Sequence, residues 1–203
     1  LVAERLGISV RFVPFDELSI DEVAANSPQR CYFCKYARFR ALADIAVVEG
    51  AQLLHGENTD DADDYRPGLR AARELGVRAP LAEAGMSKAD VRAAAQELAL
   101  PNWDLPSDAC LATRFPYGTR ITREVIAQLA CAEKALADAG FGNCRVRHHG
   151  DVARIEVPEA DLLRLASSPD RARIAEGIKR CGYAYVALDL EGYRMGSMNE
   201  VLP

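Results

Sequence analysis

The strongest constraint on the fold is a change of pattern at residues 118–122. Downstream of it, Val125, Ile126, Leu129, Ala132 and Leu136 recur at helical spacing across 122–139, and Gly140 stops the run. Strand-like segments follow at 144–149 and 153–157 around a Gly150-Asp151 turn. A helical stretch over 159–180, broken near 167–170, then leads to a last strand at 183–189. That α-β-β-α-β order predicts a small α+β layer. Upstream, residues 1–7 look like the end of a helix stopped at Gly7, and 8–15 alternate as a strand, as in a βαβ unit cut open. A run at 51–55 predicts a buried strand whose carboxyl end opens into the acidic loop 56–68, the edge where open α/β sheets hold ligands. Helices are predicted at 35–48, 67–75 and 87–98, the last opened by a capping box of Ser87 and Asp90 and ended before Pro101. The expected architecture is α/β over 1–118 followed by a small α+β domain over 119–203.

The pieces have enough apolar material for a core, at 49% hydrophobic residues in 203. No apolar run reaches the roughly 18 residues of a membrane span, and no charged-then-apolar leader opens the chain, so a cytoplasmic protein is expected. A net charge of -5 argues against an extended nucleic-acid surface. Six cysteines are too few for a disulfide scaffold, and reduced thiols are expected. The close pair Cys31 and Cys34 therefore points to metal or redox chemistry.

Cys31-Tyr-Phe-Cys34-Lys35 sits where a helix begins, so backbone N–H groups and Lys35 favour thiolates there. One such pair cannot close a metal site, and a further ligand must come from elsewhere. Cys110 is the best candidate, because it lies in the connector 108–122, which packs a thiol, two arginines and a Pro-Tyr-Gly turn between helical regions. A structural zinc using His148 or His149, or two semi-buried cysteines without a ligand, are the competing readings. On the strand 144–149, period two places Arg145, Arg147 and His149 on one face, suited to a phosphate or carboxylate unless Glu156 neutralises it. Glu133 falls inside the apolar stripe of its helix, where a carboxylate is either paired or working. Five carboxylates of the acidic loop, Glu57, Asp60, Asp61, Asp63 and Asp64, suit Mg2+ beside phosphates or simply a solvated loop.

Five motifs in order, Cys31-x-x-Cys34-Lys35, Gly56-x-Asn-x-Asp-Asp61 with Tyr65-Arg-Pro-Gly-Leu69, Pro106-x-x-Ala-Cys-Leu-Ala-x-Arg114 with Pro116-Tyr-Gly118, Arg145-Val-Arg-His-His-Gly-Asp151, and Tyr193-Arg-x-Gly-Ser-x-Asn199, closely resemble one family. It is the ATP-dependent sacrificial sulfur transferase family of nickel-pincer nucleotide cofactor (lactate racemase) biosynthesis, a branch of the PP-loop ATP pyrophosphatases. The resemblance implies a PP-loop, adenine nucleotide alpha hydrolase-like parallel sheet domain ahead of the α+β domain. It implies that ATP, with Mg2+, adenylylates a carboxylate of pyridinium-3,5-biscarboxylic acid mononucleotide before sulfur displaces AMP. Cys110 matches the sulfur-donating cysteine of one branch, which becomes dehydroalanine. Cys31, Cys34 and Cys110 match the ligands of a [4Fe-4S] cluster in the other, and the presence of all three favours cluster chemistry. Lys35, Arg145, Arg147 and Arg194 match cofactor, phosphate or substrate contacts, and Glu133 an active-site acid. A homo-oligomer is implied too.

The family's Ser-Gly-Gly-x-Asp-Ser phosphate loop is missing, since no two of the 14 glycines are adjacent, and it is expected to precede Leu1. A PP-loop iron-sulfur tRNA thiolase and a non-enzymatic truncated module with structural zinc are the alternative readings.

Overall fold

A computed structural model describes residues 2–63, 67–105, 109–194, 196, 197 and 200. Asp64, Tyr65, Arg66, Pro106, Asp108 and Asn199 of the motifs above lie outside the described residues. The chain divides into Leu1–Val23 with Ser27–Ser107, and Ala24–Asn26 with Asp108–Pro203. The thiol-bearing connector therefore falls in the second unit.

In the first unit, α1 (Val2–Leu6) ends at Gly7. The expected strand 8–15 is not formed: the segment is extended but joins no ladder, and Phe12 is 90% exposed. Alternation makes a strand only where a neighbour accepts its N–H groups, and none stands beside it among the described residues. After the short α2 (Asp21–Ala24), α3 (Arg30–Glu49) begins five residues earlier than its apolar period indicates and closes on Gly50 in the left-handed region. The Gly50 N–H reaches the carbonyls of Ala46 and Val47, satisfying the last turn. The predicted strand 51–55 shrinks to a parallel bridge between Leu54 and Arg78, with Leu54 half exposed rather than buried.

Helix α4 (Pro67–Glu74) starts on proline, whose missing N–H costs nothing at a first turn, and buries Leu69, Ala71 and Ala72. It packs closely on α3. A Cβ at Gly68 would come within 2.6 Å of the Lys35 side chain and 3.1 Å of the Cys31 carbonyl. Short α5 (Pro80–Glu83) precedes α6 (Lys88–Glu97), whose Ser87–Asp90 capping box is present as predicted. Mixed α/β character is thus clear, with the regular sheet among the described residues lying in the second unit.

That unit follows the predicted order. Thr122 caps α7 (Arg123–Asp138) by accepting from the Val125 N–H, and Leu129, Ala132 and Leu136 are buried along one face. Strands β1 (Arg145–His149) and β2 (Val152–Glu156) pair antiparallel. Helices α8 (Glu159–Ala166) and α9 (Arg171–Arg180) then lead to β3 (Tyr185–Leu188), parallel to β2, for a sheet order β1-β2-β3. The core joins Leu129 and Leu136 of α7 with Ile174 and Ile178 of α9 and Val146, Ala153 and Ile155 of the sheet. Among the described residues no helix is long and apolar enough to cross a membrane.

The expectation of reduced thiols fails at one place: Cys131 and Cys181 form a disulfide. Packing of α7 on α9 brings the two together across 50 residues of sequence, which spacing cannot reveal. Such a cross-link restricts the unfolded chain and contributes about 2–4 kcal/mol. Reduction with dithiothreitol is expected to lower the melting midpoint of the second unit by about 10 °C or more. A Cys131→Ser variant should melt at the reduced midpoint whether or not reductant is present; differential scanning calorimetry checks both.

Candidate active site

The connector of the second unit is built on a short 3-10 turn, Leu111–Arg114, with Cys110 at its N-cap. The Cys110 carbonyl accepts from the Thr113 N–H at 2.9 Å and from the Thr113 hydroxyl at 2.8 Å. Its thiol is exposed. Two buried arginines hold this turn. Arg114 donates to the Ala109 carbonyl at 2.8 Å, and Arg147 from β1 donates to the Thr113 carbonyl at 2.7 Å.

Each arginine is neutralised by a carboxylate. Glu133, flagged by its place in the α7 stripe, accepts from Arg114 Nε at 2.9 Å and from the Val146 N–H at 3.0 Å. Glu156 accepts from Arg147 at 2.7 Å and from Arg154 at 3.2 Å, and Arg154 also reaches Asp189 at 2.7 Å. Strand register explains this layout: Arg145 lies opposite Glu156, and Arg147 opposite Arg154. The Arg145, Arg147, His149 face therefore exists, and Glu156 is its counter-charge, with Arg145 and Arg147 buried and His149 exposed. Arg145 lies 5.2 Å from the Tyr193 ring centroid. Arg194 is more exposed and pairs with Glu191 and Glu200. The Nε atoms of Arg147 and Arg154 are shielded from solvent without a hydrogen-bond partner among the described residues.

Behind this face the environment suppresses ionisation. Burial pushes the Cys144 thiol up to about 11, and Glu133 adds to the effect. Tyr183 is raised to about 12 for the same two reasons, and burial lowers His148, whose Nδ1 lies 3.1 Å from the Tyr183 hydroxyl. His148 is a packed core residue against Phe115. The zinc reading that used it gains no companion: among the described residues no three His, Cys, Asp or Glu side chains gather around a metal-sized site.

The first unit holds the other candidates. Cys31 and Cys34 lie in the opening turns of α3, three residues apart and so on one helix face, with Arg30 donating to the Cys31 sulfur at 3.8 Å. Lys35 and Arg38 of the same helix line a cavity of about 310 Å³ together with His55, Glu57 and Asp61. Burial lowers the His55 pKa against the pull of Glu57, whose carboxylate lies 3.2 Å from the ring. This cavity thus sets the cations Lys35 and Arg38 beside the carboxylates Glu57 and Asp61. Cys31 is exposed and Cys34 part-buried on α3, and the exposed Cys110 belongs to the second unit.

No family model matches the chain. It is 44% identical over 202 residues, 99% of its length, to pyridinium-3,5-bisthiocarboxylic acid mononucleotide synthase of Lactiplantibacillus plantarum, covering 72% of that protein. The chain belongs to this synthase family. It is therefore an enzyme, a sulfur transferase. Uncharacterised proteins of Synechocystis and Methanocaldococcus jannaschii share 40% and 32% identity over 98% and 87% of the chain, which spans 75% and 69% of their lengths.

Two features of the family member's second unit had no role assigned from sequence. Arg114 stands in the connector motif, yet nothing in the linear pattern marks it as buried. Asn26 is fully buried with a left-handed backbone, and it donates to the Pro116 carbonyl at 2.9 Å while accepting from the Gly118 N–H at 3.0 Å. Its signal was only the tolerance of asparagine for that conformation. Cys110 is exposed whereas the Cys144 thiol is buried and pushed up to about 11, so iodoacetamide at pH 8 should label Cys110 and leave Cys144 unlabelled until denaturant is added. Peptide mass spectrometry distinguishes the two, and equal labelling in the folded protein would contradict the arrangement.

Proposed function

We propose that the chain transfers sulfur to pyridinium-3,5-biscarboxylic acid mononucleotide, converting carboxylates to thiocarboxylates through an adenylylated intermediate. The observation that carries this reading is the exposed Cys110 thiol on a turn held by buried Arg114 and Arg147, in a relative of the named synthase. The first unit is taken as part of a PP-loop ATP pyrophosphatase-like domain. In it Lys35, with Glu57 and Asp61, would meet Mg2+ and ATP phosphates, oxygen ligands and a cation being what those groups need. Arg145, Arg147 and Arg194 would contact the phosphate and carboxylates of the mononucleotide, with the unused Arg147 Nε as a ready donor.

Adenylylation turns a carboxylate oxygen into a good leaving group. The Cys110 sulfur then attacks the acyl carbon, forming a C–S bond as the bond to AMP breaks, and the thiol proton leaves to solvent or a nearby base. Loss of the Cys110 α-proton drives elimination: the Cβ–S bond breaks, sulfur departs with the product as thiocarboxylate, and dehydroalanine remains. The sequence is redox-neutral. Glu133 keeps the turn's arginine neutralised, and Arg114 and Arg147 hold the turn's backbone. A [4Fe-4S] cluster bound by Cys31, Cys34 and Cys110 would supply a renewable sulfide carrier in place of the sacrificed cysteine.

Protein purified without oxygen and incubated with ATP, Mg2+ and the pyridinium substrate is expected to yield the thiocarboxylate by mass spectrometry. Cys110→Ser should abolish it, whereas the paired Cys131→Ser and Cys181→Ser variant should retain it. Iron and sulfide analysis of the same protein separates the two routes: cluster stoichiometry with an intact Cys110 supports the carrier, and dehydroalanine at 110 without iron supports sacrifice. Product formation by Cys110→Ser at the wild-type level would refute the assignment of Cys110.

A further inference from the structure

We propose that Arg114 is the positioning residue of the sulfur-donating turn, an inference that rests on the reading of Cys110 as sulfur donor or ligand. Its guanidinium is 1% exposed, where an unpaired cation could not persist, and its donors divide between two tasks. Nε and Nη2 form a fork on the Glu133 carboxylate at 2.9 and 3.5 Å. Nη1 is given to the turn: the Ala109 carbonyl at 2.8 Å, the Thr113 hydroxyl at 3.0 Å and the Cys110 carbonyl at 3.4 Å. Glu133 is itself fixed by the Val146 N–H, the second residue of β1. The backbone on both sides of the Cys110 peptide is thereby tied through one planar group to α7 and to the sheet.

Lysine cannot reproduce this. An ammonium would keep the charge beside Glu133 but lacks the fork that spans a carboxylate and three further acceptors. The thiol itself receives none of these bonds, so Arg114 acts on its location. Nucleophilic attack needs the sulfur within about 3–3.5 Å of the acyl carbon in a defined direction, and misplacement by about 1 Å costs about 100-fold in rate.

The test uses Arg114→Lys in the complete protein, with Ile178→Ala on α9 as a core variant of comparable stability loss, and two readouts. Hydrogen exchange of the amides of residues 111–115 is expected to accelerate by about 10-fold or more in Arg114→Lys, with α9 amides unchanged. Single-turnover sulfur transfer should fall by about 10-fold to 100-fold while the KM for the pyridinium substrate stays within about twofold. Ile178→Ala should show neither the local exchange change nor the split between kcat and KM. Unchanged exchange of the turn in Arg114→Lys, or the same kcat loss in Ile178→Ala, would overturn the proposal. A wild-type protein that transfers no sulfur would instead overturn the reading beneath it, because the exchange measurement needs no substrate.

Discussion

The second unit depends on a charge pair between buried Arg114 and part-buried Glu133. A guanidinium and a carboxylate withdrawn from water together cost several kcal/mol each in desolvation, and only full hydrogen bonding returns that energy. Here the return is nearly complete, because the guanidinium also serves three acceptors of the Cys110 turn and the carboxylate accepts a strand N–H. Pairing alone could be replaced by apolar side chains at little loss of stability. What an apolar pair could not do is bond the carbonyls of an irregular turn that sits beside the core. The pair is best understood as the device that lets a non-repetitive segment sit against a packed core while leaving a thiol exposed.

The same logic recurs on the sheet. Glu156 is buried and accepts from Arg147 and Arg154, and Arg147 passes the constraint to the Thr113 carbonyl. Asn26 secures the far end of the connector through Pro116 and Gly118. Three side chains distant in sequence therefore fix one fifteen-residue stretch, 108–122, along its described length. In the first unit Arg30 approaches the Cys31 sulfur at 3.8 Å.

How much of this the sequence disclosed follows from the range of the interactions. Periodicity and capping are local, so α6 with its Ser87–Asp90 box, α7 from Thr122 to Gly140, and the β1-β2 hairpin were legible. Glu133 was conspicuous because a carboxylate on an apolar stripe violates a local rule, although its partner Arg114 could not be named from the helix alone. The cationic face of β1 was legible from period two, and Glu156 was a candidate counter-charge. Alternation at 8–15 and the apolar run at 51–55 misled for one reason: a strand is defined by its neighbour, and β propensity without a partner leaves an exposed extended chain. The Cys131–Cys181 bridge was equally non-local, depending on how α7 meets α9.

Committing buried arginines to the turn also bears on what can bind there. Arg114 spends its fork on Glu133 and its remaining donors on backbone, so it has little left for a ligand. Arg147 and Arg154 are held by carboxylates through their terminal nitrogens, yet each keeps an Nε donor without a partner among the described residues. A shielded donor left empty costs about 1–3 kcal/mol. The carboxylates thus hold the arginines in position, and the two Nε donors remain shielded within the face. A mononucleotide brings oxyanions in its phosphate and ring carboxylates. A long polyanion would instead require a continuous exposed basic stripe, and here Arg145 and Arg147 are buried while Arg154 and Arg194 are already paired with acids.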